Sequence, residues 1–107
     1  MKTATLIGAF CLALAAGAPA LAGDAGAGHK KSKTCETCHG PDGNSPSTEF
    51  PKIAGQHYDY IVKALKDYKA GVRKNPIMAP MAANLTIRDI EDLAAYYSSQ
   101  RGLTLKH

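Results

Sequence analysis

Five consecutive residues, Cys35-Glu36-Thr37-Cys38-His39, narrow the possible folds of this 107-residue chain more than any other segment. On a helical turn, two cysteines three positions apart project from one side, so both thiols can bond along one edge of a single rigid partner. The histidine that follows is then placed to reach across that partner's face. The remaining cysteine, Cys11, lies far upstream in an apolar stretch, so no second pair of thiols follows the first.

That apolar stretch runs from Ala4 to Ala16, behind the single positive residue Lys2 and ahead of small residues at Ala18, Ala20 and Ala22. This is the layout of a secretory signal peptide, residues 1–22, with cleavage after Ala22 and a second possible site after Ala20. The run is too short to span a bilayer, and the chain from Gly23 onward has no second long apolar segment, so no stable membrane insertion is expected. Cys11 follows Phe10 rather than the small residues that lipid attachment prefers, and is expected to be discarded with the leader. The expectation is an exported, soluble protein in a bacterial periplasm.

The mature chain, residues 23–107, is one domain of 85 residues whose only phenylalanine is Phe50, and it has no tryptophan. A domain this small and poor in large apolar residues needs a staple. A buried cofactor would supply the missing apolar mass, and C-x-x-C-H is the attachment signature of c-type haem, with Cys35 and Cys38 as thioethers and His39 on the iron. Rival uses of the two cysteines are thiol exchange, a disulfide, or zinc completed by His57 and His107. Thiol exchange expects a strand and helix unit that is missing here, and neither a disulfide nor zinc explains His39. Loss of Lys2 lowers the formal net charge from +4 to +3, a mild surplus that gives no sign of nucleic-acid binding.

Along the mature chain, Asp24 is positioned to cap a short helix running through Lys30 to Thr34. Gly40 to Gly55 is dense in turn formers and reads as one long loop. Between Gln56 and Gly71, Tyr58, Ile61, Ala64, Leu65 and Tyr68 recur at helical spacing. A second loop holds Pro76, Met78, Pro80 and Met81. Thr86 then opens a last helix to about Gln100, with Ile87, Ile90, Leu93, Ala94 and Tyr97 on one stripe and Arg88, Asp89, Glu91 and Asp92 facing water. The class is all-α with long ordered loops, and no strand alternation or internal repeat is present. Met78 and Met81 are the only methionines of the mature chain, and one of them in this loop is the expected sixth iron ligand of a low-spin carrier.

In order along the chain, Cys35 to His39 with Gly40, Asp42-Gly43-Asn44-Ser45, Phe50-Pro51-Lys52-Ile53-Ala54-Gly55-Gln56 and Leu93-Ala94-Ala95-Tyr96-Tyr97 resemble segments of the class I cytochromes c, specifically the bacterial c4 and c553 type. The resemblance implies a small fold of three to four helices wrapped around one covalent haem c. It places the sixth ligand on Met78 rather than Met81, and sets the Pro51 backbone carbonyl against the His39 ring. It also implies that the first and last helices cross at Gly28 and Tyr96. With one haem motif, the chain is more similar to the single-domain c553-like subtype than to two-haem c4.

The function expected on these grounds is single-electron transfer between a redox protein donor and acceptor, with no catalytic residue. Lys30, Lys31, Lys33, Lys52, Lys63, Lys66, Lys69, Arg73 and Lys74 are compatible with a field that steers acidic partners and equally with a solvated face. Two alternatives stand beside it. One is a haem subunit held on a larger oxidoreductase. The other is an open-site haem enzyme or gas binder using His29, His57 or His107.

Overall fold

The computed structural model describes residues 23–102, so the leader 1–22 with Cys11, and His107, lie outside the described residues. Five helices follow one another: α1 (Ala25–Lys31), α2 (Lys33–His39), α3 (Tyr58–Ala70), α4 (Met78–Ala83) and α5 (Ile87–Ser98), with no strand among the described residues. Each helix beyond the expected three to four has a local cause.

The single short helix expected near the N-terminus is two. Asp24 caps α1, its carboxylate accepting from the Gly26 and Ala27 amides at 3.3 Å each. At Ser32 the helix breaks: both its amide and its hydroxyl turn back onto the His29 carbonyl, at 3.2 and 2.7 Å. α2 restarts at once and carries the whole cysteine motif. The segment around Pro80, read from sequence as loop, contains α4. Pro80 is only the third residue of α4, where its missing N–H has no intrahelical acceptor to lose. Just ahead of α4, Asn75 Oδ1 accepts from the Ile77 and Met78 amides at 2.9 Å each.

α5 is the centre of the core. Thr86 and Asp89 close a capping box, the Asp89 amide donating to Thr86 Oγ1 at 3.0 Å and the Thr86 amide to Asp89 Oδ2 at 2.9 Å. Ile90, Leu93, Ala94, Tyr96 and Tyr97 are buried, with Ile61, Val62 and Leu65 of α3 packed against the cluster. Each large apolar side chain buried there contributes about 1.5–3 kcal/mol. Ile87, expected on the buried stripe, is instead exposed: at the first position of α5 it borders an open hollow beside Lys66, Lys69 and Ala70 of α3.

α1 crosses α5 at Gly28. A Cβ there would collide with the Asp92 carbonyl and come within 2.8 Å of Tyr96 Cβ, so only glycine permits the approach. The same crossing corrects the reading of Asp92 as a water-facing acid: it is 1 % exposed. Its carboxylate accepts from Lys31 Nζ at 2.6 Å, from the Asp24 amide at 2.8 Å and from Arg88 Nε at 3.0 Å. Three donors, two of them charged, make burial of this carboxylate tolerable. The Lys31 hydrogen bond is the main reason its pKa lies below the usual carboxylate range.

Residues 40–57 contain no helix and are held by tethers. The Gly43 carbonyl accepts from the Ile53 and Ala54 amides at 2.8 and 3.1 Å, and the Gly55 amide donates to the Tyr97 carbonyl at 2.8 Å. Gly43 itself has φ +92° and packs under Tyr97 and Ala54, where a side chain would meet both conformational strain and atoms at 2.8 and 2.9 Å.

Candidate functional site

Cys35 and Cys38 lie three residues apart on α2, so both sulfurs project from one side of it. Both are half-buried free thiols. Cys35 packs against the α5 core, and burial pushes its thiol pKa up. His39, the last residue of α2, is buried, and its Nδ1 lies 2.8 Å from the Pro51 carbonyl oxygen. With Nδ1 as donor to that carbonyl, Nε2 is the nitrogen that keeps a lone pair for a metal.

The loop that supplies Pro51 is tied to the same helix. Ser45, 5 % exposed, donates its hydroxyl toward the Cys38 carbonyl at 3.2 Å and the Ser47 carbonyl at 3.0 Å, and accepts from the Ser47 amide at 3.2 Å. A cleft of about 560 Å³ runs along this loop, bounded by Ser45, Pro46, Ser47, Thr48, Phe50, Pro51 and Lys52. A second hollow, of about 460 Å³, is lined by Lys66, Lys69, Ala70 and Ile87 and includes none of the motif residues.

On α4, Met78 is half-buried while Met81 is 43 % exposed. Two phenol oxygens, those of Tyr58 and Tyr97, are buried without a hydrogen-bond partner. Burial also pushes the Tyr97 phenol pKa well up. Cys35, Cys38 and His57 are not gathered into a metal-sized cluster, and among the described residues no three His, Cys, Asp or Glu side chains are. Of the basic residues expected to steer partners, Lys31 is engaged with Asp89 and Asp92, Lys63 with Asp67 at 2.8 Å, and Lys69 with a backbone carbonyl.

Sequence reasoning missed Ser45 and Asn75 as organisers of the two loops. Asn75 stands before Pro76, and an Asn-Pro pair is a legible turn-initiation signal ahead of α4. Ser45 gave none, because its partners are backbone atoms brought close only by the fold.

The arrangement of the helices around α5 is that of a solved class I cytochrome c. The crystal structure of reduced recombinant cytochrome c4 from Pseudomonas stutzeri matches with a TM-score of 0.73 at 48% identity, over 77% of this chain and 48% of that one. Cytochrome c4 of Pseudomonas aeruginosa is 48% identical over 80 residues, which are 75% of this chain and 40% of that protein. Cytochrome c-554(548) of Halomonas halodenitrificans is 46% identical over 82 residues, 74% of this chain and 99% of that protein. The chain thus spans less than half the length of the curated cytochrome c4 relatives it matches. Residues 23–100 match the cytochrome c family, and the chain belongs to it, as a c4-like class I c-type cytochrome.

The donors present suit the covalent haem of that family: two free thiols on one side of a helix, and an imidazole with one nitrogen held by a carbonyl. No disulfide consumes the sulfurs, and His39, which neither the disulfide nor the zinc reading explains, has a defined place beside them.

Proposed function

We propose that residues 23–107 form an exported, periplasmic monohaem cytochrome that carries single electrons between protein partners. In this reading Cys35 and Cys38 bind the haem as thioethers, and His39 and Met78 are its axial ligands. The observation that carries it is the His39 Nδ1 to Pro51 carbonyl distance of 2.8 Å, which orients the ring and leaves Nε2 for iron at the end of the helix bearing both thiols.

Bound haem supplies a one-electron iron couple. The protein's task is to keep the ligands fixed through that change. Pro51 holds the imidazole, and Ser45 binds the Pro51 loop to the backbone at Cys38. Asn75 fixes the Met78 amide, and half-burial of Met78 against exposure of Met81 favours Met78 as the sulfur donor. A thioether ligand raises the potential relative to a second histidine. No proton need move, because every proposed ligand keeps its protonation state in both oxidation states. A single haem is favoured by the match to cytochrome c-554(548) over 99% of that protein's length.

The test is a visible spectrum of the reduced protein with and without carbon monoxide. Haem bands that do not shift support two protein ligands and an electron carrier, and Met78→Ala should then open the site to carbon monoxide. A large shift in the unaltered protein would indicate an open iron and a haem enzyme or gas binder. Absence of haem bands would end the reading. The mass of the exported protein, with Gly23 as its first residue, tests the leader.

A further inference from the structure

The segment bearing Met78 leaves α3 at Gly71 and reaches α5 at Thr86, and α3 grips it at both ends. At the start, the Arg73 guanidinium carbon lies 4.9 Å from the Tyr68 ring centre and 5.8 Å from that of Tyr60. Its Nη1 donates to the Tyr60 hydroxyl at 3.2 Å. At the far end, Lys69 Nζ donates to the carbonyl of Ala83, the last residue of α4, at 2.9 Å. Tyr60, Tyr68 and Lys69 all belong to α3. Between the two grips Asn75 holds the Met78 amide, and the fully buried Ala82 anchors the inner face of α4.

We infer that Arg73 and Lys69 are positioning residues for Met78: together they clip segment 72–85 onto α3 and so keep its thioether from yielding the iron to a competing ligand. The inference rests on the reading of Met78 as an axial ligand. A flexible lysine or arginine at the surface is ordinarily solvated. These two instead spend their donors on an aromatic pair and a helix-terminal carbonyl, which lie at opposite ends of one functional segment. An exposed cation over an aromatic ring shifts an opening equilibrium by about two- to fivefold. A single hydrogen bond to a backbone carbonyl has a comparable effect.

The experiment is titration of the oxidised holoprotein with imidazole, which competes with methionine for iron and requires the segment to open. Arg73→Gln and Lys69→Gln should each lower the imidazole Kd by about two- to fivefold, and the double variant by about tenfold. Tyr68→Leu should act like Arg73→Gln in the unaltered background and add little on top of it. Unfolding of the imidazole-saturated holoprotein, where the segment is already open, should be the same for all. An unchanged Kd in the double variant overturns the clip. So does a lowered Kd accompanied by equal destabilisation of the imidazole-saturated form, which would make the two residues merely structural. Met78→Ala separates the two levels. It should abolish the far-red methionine-to-iron charge-transfer absorption, and if that band survives, the ligand reading falls and the clip with it. If the band is lost while the double variant binds imidazole normally, only the clip fails.

Discussion

The crossing of α1 with α5 and the loop from Gly40 to His57 are held together in opposite ways. At the crossing, two helices meet at van der Waals distance over Gly28, and the acid buried there has a donor for every direction it faces. The loop has no helix of its own and hangs from α5 and α2 by a few hydrogen bonds: from Gly55 to Tyr97 and from Tyr96 to Pro41 on one side, and from Ser45 to Cys38 and His39 to Pro51 on the other. Yet the loop supplies Pro51 to His39, and the crossing touches no proposed ligand. Stability and function are divided between the two: the crossing is the frame on which a locally weak loop can present a carbonyl at a fixed point.

The largest expected effect breaks the frame. Gly28→Ala forces a methyl group into the Asp92 carbonyl and should cost about 3 kcal/mol in denaturant unfolding. If the frame positions the loop, the loop amides of Gly55 and Ile53 should lose hydrogen-exchange protection by the same amount. Protection of those amides unchanged by the substitution would show that the loop stands without the crossing.

Asp92→Asn should cost about 2 kcal/mol near neutral pH, by weakening two charge-assisted hydrogen bonds. Its pH dependence sharpens the assignment. The folded pKa of Asp92 is lowered, so its contribution is complete above the unfolded value of about 3.9 and disappears as pH falls through the folded value. Asp89, lowered chiefly by the Thr86 amide, acts with the same sign. Urea midpoints measured as the pH is lowered below about 4 should therefore fall less steeply in the variant than in the original protein. Parallel curves would remove Asp92 from the acid sensitivity of the crossing.

The smallest effect belongs to the loop. Ser45→Ala should lower global stability by about 1 kcal/mol or less while increasing exchange at Ser47 and nearby amides. A global loss as large as that of Gly28→Ala would mean that the loop, too, is frame.

What could be read in advance follows the same division. α3 and the buried face of α5 were legible because an apolar stripe at helical spacing needs only local sequence. The Thr86 cap and the Asp24 cap were legible for the same reason. That both cysteines of the motif share one side of a helix was legible because their spacing fixes it. Asp92 was not, since on α5 alone it belongs to a charged run and its decisive partner, Lys31, lies 61 positions away. α4 was obscured by Pro80, whose cost depends on its place in the helix rather than on its presence. The nearness of Pro51 to His39 came from likeness to relatives, because no local pattern joins residues 12 positions apart across a loop of turns.

The pairing of Asp24 with Asp92 spans 68 positions, from the opening of the domain almost to its close. A chain that emerges one residue at a time, from a ribosome or through a translocation pore, makes α1 and α2 early and α5 last. Until α5 arrives, α1 has no partner and Cys35 has no core to pack against, so its thiol remains in water rather than half-buried. The order of synthesis therefore gives the Cys35 thiol an interval of accessibility before α5 packs beside it, and on the haem reading proposed above, lengthening or shortening that interval is a way to control how completely haem attaches.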